Sequence, residues 1–252
     1  MRMIPVKRLL TPALIGLCLL GAVSLFAHYT WLAPAPSTVK AGEPVTVLLA
    51  SGHAFPAAEQ PLKGVEMKAK VADPAGRTTA LEVADKGRGP EATFKTGPEG
   101  LYRVAGEYDR GVISRTPEGW KPGGRASHPD ASSVIKSYSS FLCAVRTPGT
   151  ALDSAAPLGL AFEVSWSRTG RGIAVLATAG GKPVEGADVS IILGSGEANP
   201  AGKTGSAGRV EIEIAKPFRG PVLLSGSISK PAPAGSDYDA ERWSSSYFLT
   251  WD

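Results

Sequence analysis

From residue 45 onward the chain consists of short β-branched runs. Glycine, proline and aspartate break them at nearly regular intervals, and this punctuation limits the possible folds more than any other feature. Residues 45–49 (VTVLL) follow a Gly-Glu-Pro turn. Residues 65–71 (VEMKAKV) alternate apolar and polar side chains, the period of a strand with one buried face. Asp73-Pro74-Ala75-Gly76 is a turn signal. Further strand-like stretches lie at 80–84, 92–95, 100–107 and 112–115. After Leu158 they recur at 161–166, 172–177, 187–193, 210–214, 222–228 and 245–251. Thirty glycines and twenty-one prolines supply turns without reaching the ~25–30% of a low-complexity chain. No helical pattern alternates with these runs. The expected class is therefore all-β, as two immunoglobulin-like antiparallel β-sandwich domains. The expected boundary lies in 148–157 (PGTALDSAAP), giving domains at 28–150 and 151–252. Residues 132–145 fit either a short helix or a strand. Residues 116–134 hold few apolar positions and are expected as a long loop, functional or mobile.

The first 27 residues have the pattern of a removable export signal. Arg2, Lys7 and Arg8 precede an uncharged apolar stretch at 9–22, and Ser24 and Ala27 occupy the small-residue positions of a cleavage site. The apolar run is short for a membrane span, and no second one follows, so the mature chain is expected to have none. Cys18 would leave with the leader. Leu17 directly before it is not the small residue that a lipid-attachment site requires. Cleavage after Ala27 removes three of the 27 basic residues against 23 acids, so the net charge of +4 falls to +1. The electrostatic case for a nucleic-acid partner disappears with it. Cys143 remains as the single cysteine, which excludes an intrachain disulfide. In SSFLCAV it has the setting of a small buried hydrophobe.

The chemistry of the mature chain sits in three histidines, His28, His53 and His128. If Ala27 is the last residue removed, His28 becomes the amino terminus. It then offers its α-amine and ring Nδ1 as a chelating pair. An α-amine titrates near pH 7.7–8.0, so a metal can displace its proton at modest cost. A second imidazole would complete a three-nitrogen set suited to Cu(II) or Ni(II). His53, in Gly52-His53-Ala54-Phe55-Pro56 after the 45–51 strand, is the candidate for that ring. Its alternative is a loop histidine bonded to backbone. Glu59 serves either as a ligand or as an acceptor that orients an imidazole. His128 is expected to be solvated. Cysteine pairs, a His-Glu-x-x-His helix, a Ser/His/Asp signature and a phosphate loop are all absent, which removes zinc-protease, structural-zinc and nucleotide readings. Trp31, Trp120, Trp166, Trp243 and Trp251 are expected mainly in the core or at its boundary.

The opening His28-Tyr29-Thr30-Trp31-Leu32 resembles the His-x-x-Trp-Leu start of a two-domain periplasmic family described as a nickel or cobalt uptake component. The segment from Gly52 to Glu59 is similar to its Gly-His-x-Phe-Pro-x-x-Glu motif, and Gly119-Trp120-Lys121 to its Gly-Trp-Lys turn. Residues 157–164 resemble the strand that opens its second domain. Residues 181–189 and 204–208 resemble a carboxypeptidase-regulatory-type sandwich repeat. After Ser132 the chain departs from the family, keeping only Lys136 and Tyr138 of a basic, tyrosine-containing stretch. The resemblance implies a non-enzymatic periplasmic protein that hands nickel or cobalt, with copper as alternative, to a membrane permease. His28, His53 and Glu59 would hold the metal ion. Two other readings stay open: a copper-dependent oxidative enzyme with an amino-terminal histidine brace, and a metal-free structural or adhesive module.

Overall fold

The computed structural model describes residues 29–59 and 61–252. The expected leader, 1–27, and His28 lie outside the described residues. Among the described residues the chain is strand, turn and loop with no helix, an all-β protein as the β-branched runs require. In chain order the strands are β1 (Tyr29–Ala35), β2 (Pro44–Gly52), β3 (Lys68–Ala72), β4 (Thr78–Leu81), β5 (Val83–Asp85) and β6 (Pro90–Lys95). Next come β7 (Leu101–Thr116), β8 (Gly119–Pro122), β9 (Ser133–Arg146), β10 (Ser154–Ala155), β11 (Glu163–Thr169) and β12 (Gly172–Ala179). The last are β13 (Lys182–Pro183), β14 (Asp188–Leu193), β15 (Asn199–Lys203), β16 (Arg209–Glu213), β17 (Gly220–Pro231) and β18 (Ala240–Trp251).

These strands form three sheets. One has the order β1-β2-β6-β5. A nine-stranded sheet runs β15-β14-β17-β18-β9-β7-β3-β4 with β8 beside β7, and a third runs β10-β11-β12-β13 with β16 beside β12. Within the sheets the pairs are antiparallel apart from β9 and β18, which run parallel from Ile135 opposite Ala240 to Cys143 opposite Phe248. The expected division at 150/151 falls between β9 and β10, and the nine-stranded sheet crosses it through this pair.

Both faces of that sheet are apolar where the other two sheets pack. On β9, Phe141, Cys143 and Val145 enter one core, while Leu142 and Ala144 enter a second. On β18, Phe248 joins the first core and Tyr247 and Leu249 the second. On β17, Leu223 and Leu224 divide in the same way. Trp31, Val45, Val47 and Phe94 of the four-stranded sheet contribute to the first core, and Val164, Trp166, Ile173 and Val175 of the five-stranded sheet to the second. A strand buried on both faces reads as an unbroken apolar run, so FLCAV lacks the alternation that marks a one-sided strand. Residues 132–145 are accordingly strand, not helix. Cys143 is fully buried, and burial pushes its thiol well above the ordinary value.

Two buried polar clusters in the second core are satisfied, whereas Trp166 Nε1 and the Tyr247 hydroxyl are buried there without a hydrogen-bond partner among the described residues. Ser140 Oγ lies 2.6 Å from the Phe162 carbonyl and 2.9 Å from the Ser245 hydroxyl, which accepts from the Val164 N–H at 3.0 Å. The buried Glu163 carboxylate accepts the N–H groups of Leu158, Gly159 and Leu160, locking the turn before β11.

Two local expectations are revised. The stretches 100–107 and 112–115 are one strand, β7, with a register irregularity between Asp109 and Gly111. The expected loop at 116–134 contains β8, which pairs with the end of β7. The remainder is tied down by Arg125, whose guanidinium bonds Asp239 at 2.7 Å.

Because one sheet belongs to both cores, the chain should unfold in a single transition. Leu49→Ala in the first core and Leu224→Ala in the second should each cost about 2–5 kcal/mol. Both should lower the same urea midpoint, followed by fluorescence and by circular dichroism. Two resolved transitions, one moved by each variant, would contradict the shared sheet.

Candidate metal centre

The end of β2 positions His53. In the β1–β2 ladder Tyr29 faces Gly52 and Trp31 faces Ala50, so the opening of β1 and the exit of β2 lie side by side. After Gly52 the chain leaves the sheet and turns, with the Ala57 N–H donating to the Ala54 carbonyl at 2.9 Å. It returns beside β2 when the Glu59 N–H donates to the Ser51 carbonyl at 2.9 Å. Phe55 anchors this turn. Its ring is buried edge-on against Trp31, with centroids 5.3 Å apart, and against Phe248 at 5.8 Å. Gly52 is required by close approach, since a Cβ there would lie 2.5 Å from the Ala57 carbonyl oxygen.

The returning turn brings the Glu59 carboxylate to the His53 ring. Glu59 Oε2 lies 2.8 Å from His53 Nδ1, and Oε1 accepts the Ala54 N–H at 3.0 Å. Each side chain is about one-third exposed, at 37% for His53 and 35% for Glu59. The His53 hydrogen bond is the largest reason that the Glu59 carboxyl is held below its ordinary value, with backbone N–H groups of the turn adding to it. An ionised carboxylate only accepts, so ring Nδ1 is the donor. In the neutral ring this leaves the lone pair on Nε2, and a histidine oriented by a carboxylate in this way is the usual arrangement at a metal.

The structure thus brings together two of the three residues expected to form the site. Glu59 is turned toward the ring, the geometry of an orienting acceptor. His28 lies outside the described residues, but it directly precedes Tyr29, which is opposite the residue directly preceding His53. Among the described residues no group of three or more His, Cys, Asp or Glu side chains is placed to hold a metal. His128 belongs to another loop, where its Nε2 lies 2.9 Å from the Pro122 carbonyl. Trp31, Trp166 and Trp251 are buried, whereas Trp120 is 44% exposed.

A cleft of about 830 Å³ opens beside Tyr29 and Thr30 over serines of β9, β17 and β18. Sequence reading did not single out these serines. Their signal was serine at every second position, in Ser137/Ser139, Ser225/Ser227 and Ser244/Ser246. Among the described residues no helix is long and apolar enough to cross a membrane.

Comparison with known proteins gives three findings. Residues 25–219 match the sequence model of a family described as a domain of unknown function, DUF4198. No curated protein matches the chain. Among solved structures, a DUF4785 family protein from Legionella pneumophila is similar over 78% of this chain and 51% of its own, at 10% identity and a TM-score of 0.30. The chain therefore spans about half the length of that protein.

The His53–Glu59 pair predicts a ring tautomer. In ¹⁵N-detected NMR, neutral His53 should carry its proton on Nδ1. In Glu59→Ala the population should move toward the Nε2–H form with little change in melting temperature. An unchanged tautomer in the variant would mean that the carboxylate does not orient the ring.

Proposed function

The chain belongs to the DUF4198 family, and from that premise we propose that it is a periplasmic protein that binds a transition metal and delivers it to a membrane uptake transporter. Nickel or cobalt is the cargo suggested by the resemblance of residues 28–32 and 52–59 to a nickel or cobalt uptake component, with copper permitted by the donors. The observation that carries this reading is the His53 ring held by Glu59 beside the opening of β1. His53 supplies one imidazole nitrogen. Export cleavage after Ala27 would add the α-amine and ring of His28. A nitrogen set of this kind takes late first-row divalent ions, with affinity rising toward copper whichever ion is carried.

Each residue has a distinct part in this reading. Glu59 fixes the tautomer and direction of the His53 ring, so that binding does not first have to order it. Phe55 holds the turn by its contacts with Trp31 and Phe248, so the ring is presented from a rigid support. Two histidines and an amine leave coordination positions open, the condition for passing the ion to a partner. Protons compete for the same lone pairs, so binding weakens as the pH falls.

Mass spectrometry of the exported protein should find His28 as its first residue. Calorimetric titration with nickel should then show affinity at least tenfold lower for a form with one added residue before His28, and likewise for His53→Ala. Equal affinity in all three forms would overturn the proposal.

A further inference from the structure

The nine-stranded sheet changes character along its first-core face. Under the four-stranded sheet this face carries Phe141, Leu223 and Phe248. Beyond them it carries hydroxyls in rows across the strands. One row runs Ser190, Ser225 and Ser246 on β14, β17 and β18. The next runs Ser227, Ser244 and Ser139 on β17, β18 and β9, ending at Tyr108 on β7. In the third, Ser137 on β9 lies between Arg242 on β18 and Gly111 on β7, and Arg110 directly precedes that glycine. These rows floor the 830 Å³ cleft, a volume in the range that takes a small organic ligand.

Two features separate this floor from an ordinary wet sheet face. Ser137 is only 8% exposed and lines the cleft, yet its hydroxyl makes no hydrogen bond to a described residue. Ser227 and Tyr108 likewise make no side-chain hydrogen bond among the described residues but are less buried than Ser137. The other hydroxyls are engaged: Ser139 with Ser244 at 2.9 Å, Ser190 with Ser225 at 3.1 Å, and Ser246 with the Thr30 carbonyl at 2.8 Å. The second feature is charge. Lys63, Arg110 and Arg242 line the cleft, and none of these three side chains is ion-paired among the described residues. The one lining acid, Asp188, is already paired with Lys203 at 2.7 Å. Tyr29, Tyr108 and Trp120 contribute aromatic surface to the lining.

We propose that this cleft binds an acidic saccharide, with its carboxylate at Ser137 between Arg110 and Arg242. A cleft-lining hydroxyl with no hydrogen-bond partner among the described residues, with an arginine on each neighbouring strand lining the same cleft, matches a carboxylate, which accepts only. Sugar hydroxyls both donate and accept, as serine hydroxyls do, so the floor matches them without fixed polarity. The short serine side chains let a ring approach the sheet, and Tyr108 and Trp120 offer flat faces for its C–H side. This site is separate from His53 and does not depend on the metal reading.

The test is calorimetric titration of the purified protein with a hexuronate trisaccharide, the matching neutral trisaccharide and acetate. The hexuronate should bind at least tenfold more tightly than the neutral sugar, and acetate should not displace it. Ser137→Ala and Arg242→Met should each lower hexuronate affinity at least tenfold while leaving the melting temperature and nickel affinity unchanged. Absence of hexuronate binding, equal binding of the neutral sugar, full displacement by acetate, or indifference to Arg242→Met would each overturn the proposal.

Discussion

Burial of the C-terminal halves of β9 and β18 on both faces is the constraint on which the rest of the structure depends. A strand covered on one side needs only an alternating pattern. A strand covered on both needs side chains on each face that are apolar or, like Ser140 and Ser245, hydrogen-bonded, and must have every backbone group paired. The two strands meet this requirement by pairing with each other in parallel and with β7 and β17 on their outer sides. Phe141, Leu142, Cys143 and Ala144 then divide between two cores one residue at a time. Slipping the register by one residue would exchange the two sets, placing Phe141 where Leu142 now packs. Each outer sheet therefore helps to hold the register on which the other relies.

The candidate metal centre inherits its rigidity from this middle layer. Phe55 links the 53–59 turn to Trp31 of β1 and to Phe248 of β18, so the turn stands on the central sheet as well as on its own hairpin. Trp31 Nε1 is buried without a hydrogen-bond partner among the described residues, a loss of about 1–3 kcal/mol. The indole is nonetheless wholly enclosed, and the burial of its large apolar surface, with the edge-on contact to Phe55 added, offsets that loss. Electrostatics does the remaining local work. Glu59 is exposed enough to stay ionised, and its two oxygens bind the ring and the backbone of the same turn.

The start of β1 borders both proposed sites. Its Tyr29 backbone faces Gly52 beside His53, while Tyr29 and Thr30 line the serine cleft and the Thr30 carbonyl takes the Ser246 hydroxyl. The two differ in chemistry. One offers nitrogen lone pairs oriented by a carboxylate, the other hydroxyls and unpaired guanidiniums. Each would recognise a different class of molecule within one short stretch of chain.

The sequence by itself determined the all-β class, because β-branched runs and glycine–proline turns act locally. Val45 to Leu49 was recognisable as strand for the same local reason. The sequence also singled out His53 and Glu59, six residues apart, but left Glu59 open between a ligand and an orienting acceptor, and the contacts of Phe55 with Trp31 and Phe248 hold the turn in which the two side chains meet. Only the tertiary structure decided that β9 and β18 pair in parallel across the expected boundary near 150, because that register depends on two cores filled by residues far apart in the chain. The serine floor likewise emerges only when β9, β14, β17 and β18 lie side by side. In the sequence each serine is an ordinary polar residue on an alternating strand. What makes them a surface is the distance between strands, which no local pattern encodes.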